Sequence, residues 1–130
     1  NKIQPIWADH YFKTISNSKM GLNLSRGEPI KYYSSDRITQ IIGNGLVTLI
    51  DDRTFYRDFF DNDEMVFYKN INDLSEKIKR ISLDEKMRKN IGRKGKAKYL
   101  KYFNSTLVAE FILKKTLDLP LKKKYLWNKK

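Results

Sequence analysis

The chain has 130 residues, enough for one domain, and 40% of them are hydrophobic, 13% aromatic and 32% charged. A chain of that size buries about two-thirds of the surface it exposes when unfolded, which supports a core and excludes disorder of the bulk. Cysteine is absent and histidine occurs once, which excludes thiol nucleophiles, disulfide frameworks, zinc knuckles and metal sites built on two imidazoles. No apolar run reaches the roughly 18 residues of a membrane span and no signal peptide opens the chain, so a soluble, cytoplasmic protein is the expectation. The net charge of +12 is unevenly spread. Residues 1–70 carry nine Lys/Arg against nine Asp/Glu, whereas residues 71–130 carry eighteen against six.

Along the chain, Asp9 to Ser18 reads as a helix with Tyr11, Phe12 and Ile15 on one side, and Met20 to Ser25 as a short strand. A polar loop from Arg26 to Tyr33 follows, broken by Gly27 and Pro29. Ser34-Ser35-Asp36 supplies N-cap chemistry for a helix over Arg37 to Ile42, which Gly43-Asn44-Gly45 ends by tolerating positive φ. Leu46 to Ile50 is a continuous apolar, β-branched run, as in a strand buried on both faces. A short helix near Thr54 to Phe60 and a third strand over Glu64 to Tyr68 complete this part.

From Asn70 the periodicity becomes helical throughout. Ile71, Leu74, Ile78 and Ile81 form one apolar stripe, with Lys77, Lys79 and Arg80 on the other face. Ser82 and Glu85 have capping-box spacing ahead of a second helix that carries Met87 and Ile91 inward and that Gly92 and Gly95 weaken. A third helix over Asn104 to Leu117 should bury Leu107, Val108, Phe111 and Ile112. Residues 119–130 read as a basic, aromatic tail after a domain over residues 1–118. Alternating strands and helices with short links predict an α/β fold, a Rossmann-like open parallel sheet with a helical C-terminus. Three strands amount to about half of such a domain.

Open parallel sheets bind ligands beyond the carboxyl ends of their strands. After the first strand that edge offers Arg26 and Lys31, then Ser34, Ser35 and Asp36 at a helix start, then Arg37, a set able to hold a diphosphate. The alternative is that the serines only cap and that Arg37 pairs with Asp36. Gln40, three residues after Arg37, shares its helix face and could bond sugar hydroxyls, or could simply be solvated. His10 beside Asp9 is a surface histidine, because neighbours in a helix do not face each other. Asp51-Asp52 and Asp58, Asp61, Asp63 and Glu64 match no calcium loop and read as turn-forming acids. The lysines and arginines after residue 70 suit a nucleic-acid phosphate or an anionic membrane, with Tyr125, Leu126 and Trp127 as an interfacial anchor, or else form solvated helix faces.

The ordered segments MGLNLSRG, SSDRITQIIGNGLVTLIDD, TFYRDFFDNDEMVFYKNINDLSEKIKRI and MRKNIGRKGKAKYLKYFN resemble the C-terminal, nucleotide-sugar-binding half of GT-B glycosyltransferases. The likeness is to the group 1 domain shared with spore-maturation glycosyltransferase-like proteins and covers about residues 18–115. In that family's R-x-x-E-x-x-x-x-G pattern, Arg37, Gln40 and Gly45 occupy the three named places, and Ile91 and Gly95 match a later Ile-x-x-x-Gly. The resemblance implies a nucleotide-sugar donor, with ribose near Gln40 and diphosphate near Ser34, Ser35 and Arg37. It also implies an unknown acceptor, an acceptor-binding domain that these residues do not contain, and chemistry without a metal cofactor. Two departures stand out: glutamine replaces the family's glutamate at position 40, and Tyr32 stands where the first glutamate of an E-x7-E pair would fall.

Overall fold

The computed structural model describes residues 4–25 and 27–128. Helix α1 (Ala8–Ser16) leads into strand β1 (Met20–Asn23), helix α2 (Arg37–Gly43) and strand β2 (Val47–Asp51). Two single 3₁₀ turns, Asp52–Thr54 and Tyr56–Asp58, precede strand β3 (Val66–Tyr68), and helices α3 (Ile71–Leu83), α4 (Glu85–Tyr102) and α5 (Ser105–Thr116) follow. The sheet runs β1-β2-β3, parallel throughout, with Leu22 opposite Leu49 and Ile50 opposite Phe67. This is an open, Rossmann-like α/β arrangement. The helix foreseen over residues 54–60 is two separate turns, because Phe55 sits between them in the left-handed region (φ 59°) and interrupts the α-helical run.

Alternation along the strands sorts the core into two layers. Val47, Leu49, Val66 and Tyr68 face Leu74 and Ile81 of α3 and Met87 and Ile91 of α4. Ile50 and Phe67 face Ile38 and Ile42 of α2, together with Phe59, Phe60 and Met65, and Tyr99, Phe103 and Leu126 pack on them. Helix α2 ends in a Schellman motif: the Gly45 N–H donates to the Ile42 carbonyl, the Leu46 N–H donates to that of Ile41, and Gly45 has φ 75°. At its start the serines do not cap. Asp36 holds the N-cap position without a side-chain bond, and the first turn closes on backbone carbonyls, Ile38 N–H to Ser35 and Thr39 N–H to Asp36.

The cap of α4 also differs from the Ser82/Glu85 pattern, since the Asp84 carboxylate accepts from the Met87 N–H at 2.8 Å while the Ser82 hydroxyl donates back to the Lys79 carbonyl. Gly92 and Gly95 lie within an unbroken helix, and their role is close approach. A Cβ at Gly92 would stand 2.0 Å from the Gly45 carbonyl oxygen and one at Gly95 would stand 2.2 Å from that of Glu64. Those carbonyls lie just ahead of β2 and β3, so α4 crosses the amino ends of the strands and reaches both layers. In α3 the buried arc is Leu74, half-buried Lys77 and Ile81; Ile71 is 74% exposed. Lys77 belongs inward because its ammonium donates to the Phe67 carbonyl and the Asp73 carboxylate, each at 2.7 Å, while its stem covers apolar surface.

Helix α5 also departs from expectation. It has no fully buried residue: Leu107, Glu110, Phe111 and Lys114 turn partly inward, whereas Val108 and Ile112 face out. Its inner side rests on the chain end. Phe111 packs on Tyr125 (centroids 4.9 Å apart) and on Trp127 (5.7 Å), Trp127 meets Phe103 (5.6 Å), and Glu110 pairs with Lys114 (2.7 Å) and Lys123 (2.5 Å). Tyr125, Leu126 and Trp127 are thus spent on the protein's own packing and do not form an outward anchor.

Candidate functional site

The carboxyl end of β1 gathers several of the candidate residues. Buried Asn23, the last residue of the strand, accepts a hydrogen bond from the Ser35 hydroxyl at 2.5 Å, and the Ser34 hydroxyl accepts one from the Tyr56 phenol at 2.9 Å. The Arg37 guanidinium donates to the Leu24 carbonyl at 2.8 Å, which pins it beside the strand end through a neutral acceptor. Among the described residues no carboxylate lies within ion-pair distance of Arg37, Asp36 included.

Arg37 and Gln40 share an open groove of about 270 Å³ between α2 and the start of α1, where Trp7, Tyr11 and Asp36 also line the wall. Asp36 and Gln40 are four residues apart and stack on one side of α2. The groove offers two aromatic rings for stacking, a carboxylate and an amide able to bond hydroxyls, and a cation able to meet an anion. Nothing in the sequence marks Trp7 and Tyr11 for this role, because the groove joins segments some 30 positions apart and no local pattern records their meeting.

Lys31 belongs to a different cluster. Its ammonium lies 4.9 Å from the Tyr32 ring centroid and 5.2 Å from that of Phe55. Tyr32 and Phe55 both occupy the left-handed region (φ 60° and 59°), and the Tyr32 N–H donates to the Thr54 carbonyl at 2.8 Å. The Tyr32 phenol donates to Asp58 at 2.5 Å, which raises its pKa, and burial raises that of Tyr56. Arg26 lies outside the described residues.

The ends of β2 and β3 flank a second hollow of about 470 Å³, lined in part by Arg53, Arg57 and Lys69. Its arginines are already compensated: Arg53 pairs with Asp51 (2.9 Å) and Glu28 (3.1 Å), and Arg57 pairs with Asp52 while lying 4.4 Å over the Phe67 ring. Partial burial pushes the Asp51 carboxyl up, but its bonds to the Arg53 side chain and amide outweigh that and hold it below the usual range. Asp61, Asp63 and Glu64 bring carboxylate oxygens within 4.8 Å of one another. Lys94 and Lys98 neutralise them, at 2.5 Å from Asp63 and 2.5 Å from Glu64.

The family model described as glycosyl transferase-like matches residues 1–114, most of the chain and all of the sheet. The chain belongs to the glycosyl transferase-like family. No curated protein and no solved structure matches it. Within this glycosyl transferase-like domain the candidate residues divide into three groups: Arg37 and Gln40 on the α1–α2 groove, Ser34 and Ser35 in the bonds that fasten α2 to β1 and to Tyr56, and Lys31 on the neighbouring aromatic pair. Among the described residues no helix is long and apolar enough to cross a membrane.

Proposed function

We propose that this glycosyl transferase-like domain is the donor-binding part of a GT-B glycosyltransferase that moves a sugar from a nucleotide-sugar to an acceptor. The supporting observation is Arg37, whose charge is held by a backbone carbonyl at the carboxyl end of β1 and so stays available to an anion, in a groove it shares with Gln40, Trp7 and Tyr11. Arg53 and Arg57, at the next strand end, have their charge satisfied by carboxylates. In this reading the base stacks on Trp7 or Tyr11, the ribose hydroxyls bond Gln40, and Asp36 supplies the carboxylate that position 40 lacks. Arg37 then meets the diphosphate and stabilises the negative charge that develops as the sugar departs, an electrostatic contribution to catalysis.

The test is a thermal-shift panel of UDP, GDP, ADP, CMP and their sugar conjugates at low and moderate salt, followed by calorimetry. Ligand that binds only the folded state raises the melting temperature by mass action, so one nucleotide family should stabilise the chain selectively and tolerate salt. Arg37→Ala should weaken that ligand by about tenfold or more, as loss of a charge-assisted bond does, and leave the unliganded melting temperature nearly unchanged. An unchanged dissociation constant, or no shift with any nucleotide, overturns the proposal.

A further inference from the structure

Helix α1 has few ties to the rest of the molecule. Of its nine residues none is buried, and only Tyr11 and Ile15 are half-buried. Its side-chain hydrogen bonds close on itself, Thr14 to the His10 carbonyl and Ser16 to that of Lys13, and Ser18 just past its end bonds back to that of Thr14. The ring contact of Tyr11 is with Phe12 of the same helix. Among the described residues no hydrogen bond, ion pair or ring contact ties α1 to another element, and neither core layer draws a residue from it. A helix this short is marginal in water on its own, so its opening free energy is low.

The first turn of this helix nevertheless forms one wall of the groove, through Ala8 and Tyr11, with Ile6 and Trp7 just ahead of it. Trp7 is 76% exposed and enters the helix through Ala8, whose left-handed φ of 49° is strained for a residue with a Cβ. Strain of that kind collects at ligand clamps and switch segments. The opposite wall is firm, because Arg37 and Gln40 belong to α2, whose Ile38, Ile41 and Ile42 are buried. From a loosely tied aromatic wall facing a fixed cationic one we infer that α1 is a lid, which closes on a ligand seated at Arg37 and carries Trp7 and Tyr11 onto it. A ligand that touches both walls binds the seated helix better than the open one, and so shifts the population toward closure. The inference rests on the donor-site reading above and adds to it that ordering of α1 is part of binding.

Hydrogen exchange of the 130-residue chain, alone and with saturating UDP, GDP or ADP, tests the lid. Without nucleotide the α1 amides should exchange within about tenfold of the unfolded-chain rate while those of β2 are far slower. Protection of α1 equal to that of β2 overturns the inference whatever binds. With a nucleotide that stabilises the chain, the α1 amides should slow by about tenfold or more, and Trp7 emission should move to the blue with less quenching by acrylamide. Trp127 is the other tryptophan, so the change in emission should vanish in Trp7→Phe, whose melting temperature without ligand should match the parent's. A nucleotide that stabilises the chain and loses that effect in Arg37→Ala, yet leaves the α1 amides and Trp7 unchanged, overturns the lid and leaves the donor site standing. Stabilisation by none of the nucleotides overturns both.

Discussion

Helices α4 and α5 follow each other directly and start alike, each with an Asx side chain accepting the N–H three residues on, Asp84 from Met87 and Asn104 from Leu107. What they bury is opposite to what their compositions suggest. Helix α4 is rich in lysine and glycine and is held close against the strand ends, reaching both core layers, while the more apolar α5 rests on residues 125–127 and turns an aliphatic side outward. The difference teaches that closeness of approach, set here by two missing side chains, fixes a helix in a fold more firmly than the number of its apolar residues.

The largest effect should come from breaking that approach. Gly92→Ala places a Cβ 2.0 Å from the Gly45 carbonyl, a rigid backbone atom, and should destabilise the chain by about 3 kcal/mol in denaturant titration. A change below about 0.5 kcal/mol, the usual range for a surface site, would show that α4 can ride up without loss.

Legibility from sequence followed the same divide. Leu46 to Ile50 announces a strand covered on both sides, and the Gly43-Asn44-Gly45 stop is read correctly because it depends on local φ alone. Gly92 and Gly95 look like weak points in a helix, since propensity records what a glycine lacks and says nothing of the carbonyl that needs the space. In α5, Leu107 and Phe111 compete with Val108 and Ile112 for the inside; both pairs have helical spacing, and Tyr125 and Trp127 decide between them from beyond the helix. For the groove, the i, i+3 spacing of Arg37 and Gln40 is visible in the chain, but the Trp7 and Tyr11 wall is a tertiary fact. Lys77 reads as solvated for a similar reason, because the Phe67 carbonyl that holds it belongs to a strand.

A smaller change sharpens the α5 side of the comparison. Tyr125 is 4% exposed, and its hydroxyl has no hydrogen-bond partner among the described residues. Tyr125→Phe removes that buried polar atom and keeps the ring between Phe111 and Trp127, so the chain should gain up to about 1 kcal/mol by denaturant titration. A loss of stability would mean that the hydroxyl is bonded.

The smallest effect concerns the tie between α5 and the tail. The bonds from Lys114 and Lys123 hold the Glu110 carboxyl at about 2, below its ordinary 4.5. A carboxyl lowered on folding contributes stability that is present above 4.5 and is lost as pH falls toward 2. Glu110→Gln should therefore lower the melting temperature slightly at neutral pH, with the gap from the parent closing over that acid range. A gap that stays constant with pH would assign the loss to packing.

The crossing of α4 over the strand ends has a thermodynamic consequence. Its first half contributes Met87 and Ile91 to one apolar layer and its end contributes Tyr99 and Phe103 to the other, so one rigid rod is common to both. Neither layer can open while the rod stays seated, and unseating it exposes both. The three short strands should accordingly melt as a single cooperative unit, and in hydrogen exchange the β2 amides that bond β1 and those that bond β3 should share one opening free energy.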